Sequence, residues 1–146
     1  MDRSLAAAST LFAAATAVGG AISVRQRIPG EPLRIHVPGT VTRHLAVGLG
    51  SGLSAPWPMP AATAVAALAS GRASAGPRRV AAVVGRMLVA GVLVEPVTWG
   101  RRSRSPLVAV SVALNLASAA ALIRAGSPAR QSSSSPSPPS SPDGES

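Results

Sequence analysis

A chain of 146 residues has the length of one domain. Its residues are 47% hydrophobic but only 2% Phe, Trp or Tyr, namely Phe12, Trp57 and Trp99, and the apolar content is dominated by alanine. That excludes a water-soluble core built on large side chains, because alanine buries little area. Among lipid tails the same smallness is useful, since small residues let helix backbones approach closely.

The net charge of +9 comes from 14 basic residues, every one of them arginine, against five acidic ones. They lie between apolar runs rather than along one face, and no aromatic residues interleave with them, so nucleic acid is not an expected partner. The bias towards Ala, Arg, Gly and Pro with no Lys is that of a GC-rich coding sequence. The same bias leaves a spurious or rapidly diverging reading frame as a competing reading, against which the segregation of charges from apolar stretches argues. With no cysteine, disulfides, thiolate metal sites and thiol redox chemistry are excluded.

The first uncharged run, 5–24, holds twenty residues, about 30 Å as a helix and enough to cross a bilayer. The small residues Ala15-Thr16-Ala17 resemble a signal-peptidase site. The apolar stretch continues past them, however, and Arg3 is offset by Asp2, so a retained span is expected rather than a cleaved leader. A polar connection, 25–44, follows, broken at Pro29-Gly30, Pro32 and Pro38-Gly39, with a short alternating stretch over 33–37. Its two histidines, His36 and His44, have no third ligand near them and read as surface groups rather than a metal site.

The second run, 45–71, is long enough to span but contains Pro56-Trp57-Pro58-Met59-Pro60. Three alternate prolines remove backbone donors and disfavour helix before each of them. The expectation is a broken or kinked span whose corner is shielded by its neighbours, since irregular backbone at membrane depth survives only when covered. The competing reading places Trp57 at the interface, with a short helix after the corner. The third run, 80–99, contains Arg86 and Glu95, and the fourth, 107–123, has 17 uncharged residues. From Gln131 onward the chain is Ser/Pro low-complexity sequence, which cannot bury apolar surface.

The fold expected is thus all-α: a small integral membrane bundle over residues 1–126 with four, or three, transmembrane helices, the second broken at its proline corner. Residues 127–146 form a disordered tail. A multi-pass protein of the cell membrane follows, with the lipid bilayer as its first partner and a second copy or another membrane protein as the next.

Three intramembrane polar residues stand out as candidate site residues: Arg86, Glu95 and Asn115. A charge within an apolar run raises a functional hypothesis. For Arg86 the plain reading is snorkelling, as Arg79 lies about 10 Å along the helix; the sharper one is a bundle-facing arginine that contacts Asn115 or holds an anion. Glu95 lies half a turn out of phase with Arg86 and precedes Trp99 and the basic Arg101, Arg102 and Arg104. It reads as an interfacial carboxylate, with proton coupling as the alternative. No Ser/His/acid arrangement or metal-ligand set can be assembled, so no catalytic residue, cofactor or metal is assigned. Small residues recur four apart at Ala13/Ala17/Ala21, Gly48/Gly52 and Ala113/Ala117/Ala121 and could serve as packing faces. The function expected is accessory or structural, through helix packing or self-association. A small transporter or channel component using Arg86 and Glu95 is the alternative, and a membrane enzyme comes third.

Orientation depends on the second run. With four spans, seven arginines face six across the membrane; with three, nine face four, which would put the amino terminus outside.

Overall fold

The computed structural model describes residues 1–28, 39–46, 51, 53–71, 75–99 and 105–127. Among them every element is helical: α1 (Arg3–Gln26), α2 (Val41–Ala46), α3 (Pro58–Ala69), α4 (Ala75–Val94), a 3-10 turn (Pro96–Trp99) and α5 (Pro106–Gly126). The low-complexity tail expected to be disordered lies outside the described residues from 128 onward, as do His36 and the Gly48/Gly52 pair.

The helix ends follow from local chemistry. Asp2 caps α1, its Oδ1 accepting from the amides of Ser4 and Leu5 and from the Ser4 hydroxyl. At the other end Arg27 takes the left-handed conformation (φ 51°) and the Ile28 amide donates back to the Ser23 carbonyl at 2.9 Å. This is the 6→1 closure that satisfies an orphan carbonyl, and it buries Ile28 in a cluster with Ile22. Pro58 and Pro106 open α3 and α5 at first-turn positions where no amide is needed. Pro96 ends α4 earlier than expected: the helix stops at Val94, and the Thr98 hydroxyl and Trp99 indole bond back to the Val92 and Leu93 carbonyls. The third apolar element thus runs from 75 to 94 rather than from 80 to 99, and Glu95 lies beyond it.

Four columns stand side by side, alternating in direction. The Asp2 carboxylate takes a 2.7 Å ion pair from Arg78 at the start of α4, so α1 and α4 begin at one end of the bundle. Gly126, at the end of α5, sits against Arg78 and Ala82, while Gly85 sits against Ala119 and Leu122. The α4–α5 packing is the most extensive in the molecule, followed by α1–α5, with α3 packed on both α4 and α1.

The ambiguous second run proves to be a broken column. Ser51 meets Ser23 of α1, Ser54 meets Thr16, Thr63 meets Ser9, and Ser70 meets Asp2. Residues 51–70 therefore traverse nearly the whole of α1 in the opposite direction, about 30 Å. In the first part the described residues, 51 and 53–57, are non-helical, with Ser51 and Ser54 exchanging backbone hydrogen bonds, and the second part is α3. Trp57 lies between the levels of Thr16 and Ser9, midway along the bundle and not at its end.

By length and composition two helices, α1 and α5, can cross a membrane. Of the four, or three, spans expected, the other two fall short of that length and composition: α3 is only 12 residues long, and Arg78, Arg79 and Arg86 interrupt α4.

Asp2 joins cap and ion pair. The Ser4 hydroxyl, then the Arg78 guanidinium and the Leu5 amide, lower its pKa from the ordinary 3.8 to about 2. A folded-state value below the unfolded one means stabilisation that is complete above about pH 4 and lost as pH falls towards 2. Unfolding followed in detergent micelles should show that loss in the wild-type chain and little of it in Asp2→Asn, which keeps a cap but no charge. Asp2→Ala should cost about 1 kcal/mol at neutral pH.

Candidate functional site

Two apolar clusters fill the bundle. One, towards the Asp2 end, contains Leu5, Phe12, Leu88 and Leu122; the other, near the Gln26 end, contains Ile22, Ile28, Leu53 and Val108. Between them lies a polar belt where the non-helical part of the second column packs against α1 and α5. Gly19 makes this possible: a methyl there would run into the Leu53 carbonyl and come within 3.1 Å of Ser111 Oγ. The unwound chain thus sits directly on helix backbone.

Unwinding exposes backbone groups that need partners away from water. Asn115, 3% exposed, supplies one: its Nδ2 donates to the Leu53 carbonyl and to the Ser111 carbonyl, both at 3.0 Å. Ser54 Oγ donates to the Thr16 carbonyl at 3.0 Å, and Ser51 Oγ to Ser23 Oγ at 2.8 Å. Further along the interface Ser9 Oγ donates to Thr63 Oγ1, which in turn donates to the Pro60 carbonyl. Three buried oxygens in the belt, Thr16 Oγ1, Ser111 Oγ and Asn115 Oδ1, have no hydrogen-bond partner among the described residues. Among the described residues the belt is made of neutral oxygens and amides, which can hold and orient polar groups.

Of the three residues singled out from the sequence, Asn115 alone belongs to this belt. Arg86 lies near the middle of α4 with its side chain exposed, eight residues from Arg78, and the Asn115 amide bonds to the Leu53 and Ser111 carbonyls rather than to Arg86. Glu95, half-buried, follows α4 and accepts the Thr98 amide on its carbonyl. The structure therefore does not bring the three together. His44, expected at the surface, is buried at 3% exposure at the end of α2, with Gly39 beside its ring at a φ of 131°. Among the described residues no cluster of three His, Cys, Asp or Glu could hold a metal.

The alanine ridges also turn out differently. Ala13, Ala17, Ala21, Ala113 and Ala117 are exposed, and the close approach is made instead by Gly19, Gly85 and Gly126. Sequence reasoning missed Thr16, Gly19, Ser54 and Ser111 in the belt. A signal for them exists: Ser9, Thr16 and Ser23 repeat every seven residues, and Ser111, Asn115 and Ser118 follow a 4-3 spacing, each set marking one helix face.

No known protein family, no curated protein and no solved structure matches this chain.

Proposed function

We propose that this chain is a small multi-pass membrane protein of accessory or structural type, acting through helix packing with a second copy or a partner membrane protein. The observation that carries the reading is an inverted distribution of side chains. Ser9, Ser23, Thr63, Ser111, Asn115 and Ser118 are buried, while Val65, Leu68, Val83, Met87, Val110 and Leu116 are exposed, Leu68 at 76%. Large apolar residues outside and small polar ones inside suit a lipid solvent and would be unfavourable in water.

Coverage supports the same reading. Only 44% of the apolar stretch of α1 and 33% of that of α5 is buried, whereas the core helix of a soluble protein is mostly enclosed. Charge follows suit: Arg3, Arg78, Arg79 and Arg124 gather at one end and Arg25, Arg27 and Arg43 at the other. In this reading α1, the broken column 51–70, α4 and α5 are the four crossings. Arg86 snorkels from a lipid-facing position, and α1, bonded to the second column from Asp2 to Ser23, is retained. The exposed Ala13/Ala17/Ala21 ridge gives a second helix a smooth face to approach. The test is two-sided labelling of single cysteines, introduced into a chain that has none of its own.

A second reading, a small transporter or channel component, is favoured by the three unpartnered oxygens beside an unwound segment, an arrangement that suits transient binding of a polar solute. It would operate at Thr16, Ser111 and Asn115 rather than at Arg86 and Glu95. A loss of solute flux in Thr16→Val and Ser111→Ala, with normal membrane levels, would establish it.

A further inference from the structure

We infer that the Asp2 end of the bundle carries a binding site for the phosphate of an anionic phospholipid, in the cleft between the start of α1, the start of α4 and the last turn of α5. The inference builds on the membrane reading and adds a ligand and a place to it. The cleft has a volume of about 510 Å³ and is open on one side. It is lined by the polar side chains of Arg78, Arg124 and Ser4 together with the small apolar residues Ala8, Ala121 and Ala125. The lining thus combines guanidinium donors with small apolar side chains, near where α1 and α4 begin and α5 ends.

The charges at this end are not neutralised from within. Asp2 is the one acid there among the described residues, and both its oxygens are engaged, Oδ2 by Arg78 and Oδ1 by Ser4 and the α1 amides. Arg78 donates to Asp2 through Nη2, which leaves the other face of its planar fork for a second acceptor. The side chain of Arg124, exposed on the last turn of α5, has no hydrogen-bond or ion-pair partner among the described residues. Arg3 and Arg79 add positive potential from nearby. A phosphate diester suits such a site because it has oxygens for two guanidinium groups. Its acyl chains would also lie along the alanine wall, where a larger side chain would fill the cleft.

The experiment uses the full chain purified in a neutral detergent, with thermal unfolding followed as lipid is titrated in. Phosphatidylglycerol should raise the midpoint saturably, and phosphatidylcholine, whose phosphate is balanced by a cation, should raise it far less. Arg124→Gln should weaken the apparent affinity on the order of tenfold, the worth of one charge-assisted hydrogen bond. Its midpoint without lipid should be nearly unchanged, since the Arg124 side chain has no partner to lose among the described residues. Arg79→Gln, at the same end but outside the cleft, should change affinity less than about twofold. Equal weakening by the two variants would overturn the site in favour of diffuse surface charge. An equal shift with phosphatidylcholine, or with inorganic phosphate at matched concentration, would overturn the anionic-lipid assignment. Failure of the membrane reading itself would be distinguishable, as release of the chain from membranes by alkaline carbonate.

Discussion

Gly85→Leu is expected to separate α4 from α5 and to destabilise the bundle by about 3 kcal/mol, the upper end for overpacking. A Cβ at position 85 would lie 2.8 Å from the Ala119 carbonyl oxygen, 2.9 Å from Ile123 Cγ1 and 3.1 Å from Leu122 Cβ. A side chain can rotate away from such a contact, but the backbone carbonyl of a packed helix cannot. The α4–α5 interface is also the largest in the molecule, so nothing else compensates for its opening. Gly91→Leu is the matched control: it lies on the same helix, exposed, with no neighbour within 4 Å of a Cβ. That change should be neutral or stabilising by up to about 1 kcal/mol, through helix propensity. Unfolding midpoints in mixed micelles decide between the two. Equal effects of the two substitutions would mean that α4 and α5 are not in contact along this face.

Asn115→Leu is expected to free the non-helical part of the second column, at a cost of about 2 kcal/mol. The leucine fits a similar volume but leaves the Leu53 carbonyl without the donor it has at 3.0 Å, in a region shielded from water by Gly19 and α5. An intramembrane hydrogen bond is by itself worth about 0.6 kcal/mol on average; the larger figure comes from leaving a buried carbonyl unsatisfied. The local signature should be seen at Trp57, three residues beyond Ser54. In a Trp99→Phe background its fluorescence anisotropy should fall in the Asn115→Leu variant. An unchanged anisotropy together with an unchanged midpoint would show that Asn115 does not hold the segment.

The sequence makes the helices legible where one rule dominates. The uncharged stretches 5–24 and 107–123 lie within α1 and α5, because an apolar run without breakers has no competing conformation. The corner at Pro56-Trp57-Pro58 is likewise where helix gives way to irregular chain, as its missing amides require. Other features were decided by tertiary partners that spacing does not reveal. Whether 51–70 runs along α1 depends on Ser51, Ser54, Thr63 and Ser70 each finding a partner there, a matter of long-range contact. The alanine spacing recurs by composition alone in a chain so rich in alanine, so it does not point to the close approach within the bundle, which is made by Gly19, Gly85 and Gly126. Arg86 drew notice as a charge in an apolar run, yet its helix turns it outward. Asn115 was the polar residue that the fold used, and the serines that share its face were the sign of it. His44 was misread because a short helix over the end of α1 buries it, and nothing in its own neighbourhood of the sequence announces that.

The central claim, four crossings with the broken column as the second, is tested most directly by labelling single cysteines with a membrane-impermeant maleimide on each side of sealed membranes. Arg3→Cys, Ala75→Cys and Ser127→Cys are exposed positions at one end of the bundle, and Arg25→Cys and Thr42→Cys at the other. The account predicts that the first three react from one side only and the last two from the opposite side only. Reaction of Ala75→Cys from the same side as Thr42→Cys would contradict it, because the chain between them would then not cross.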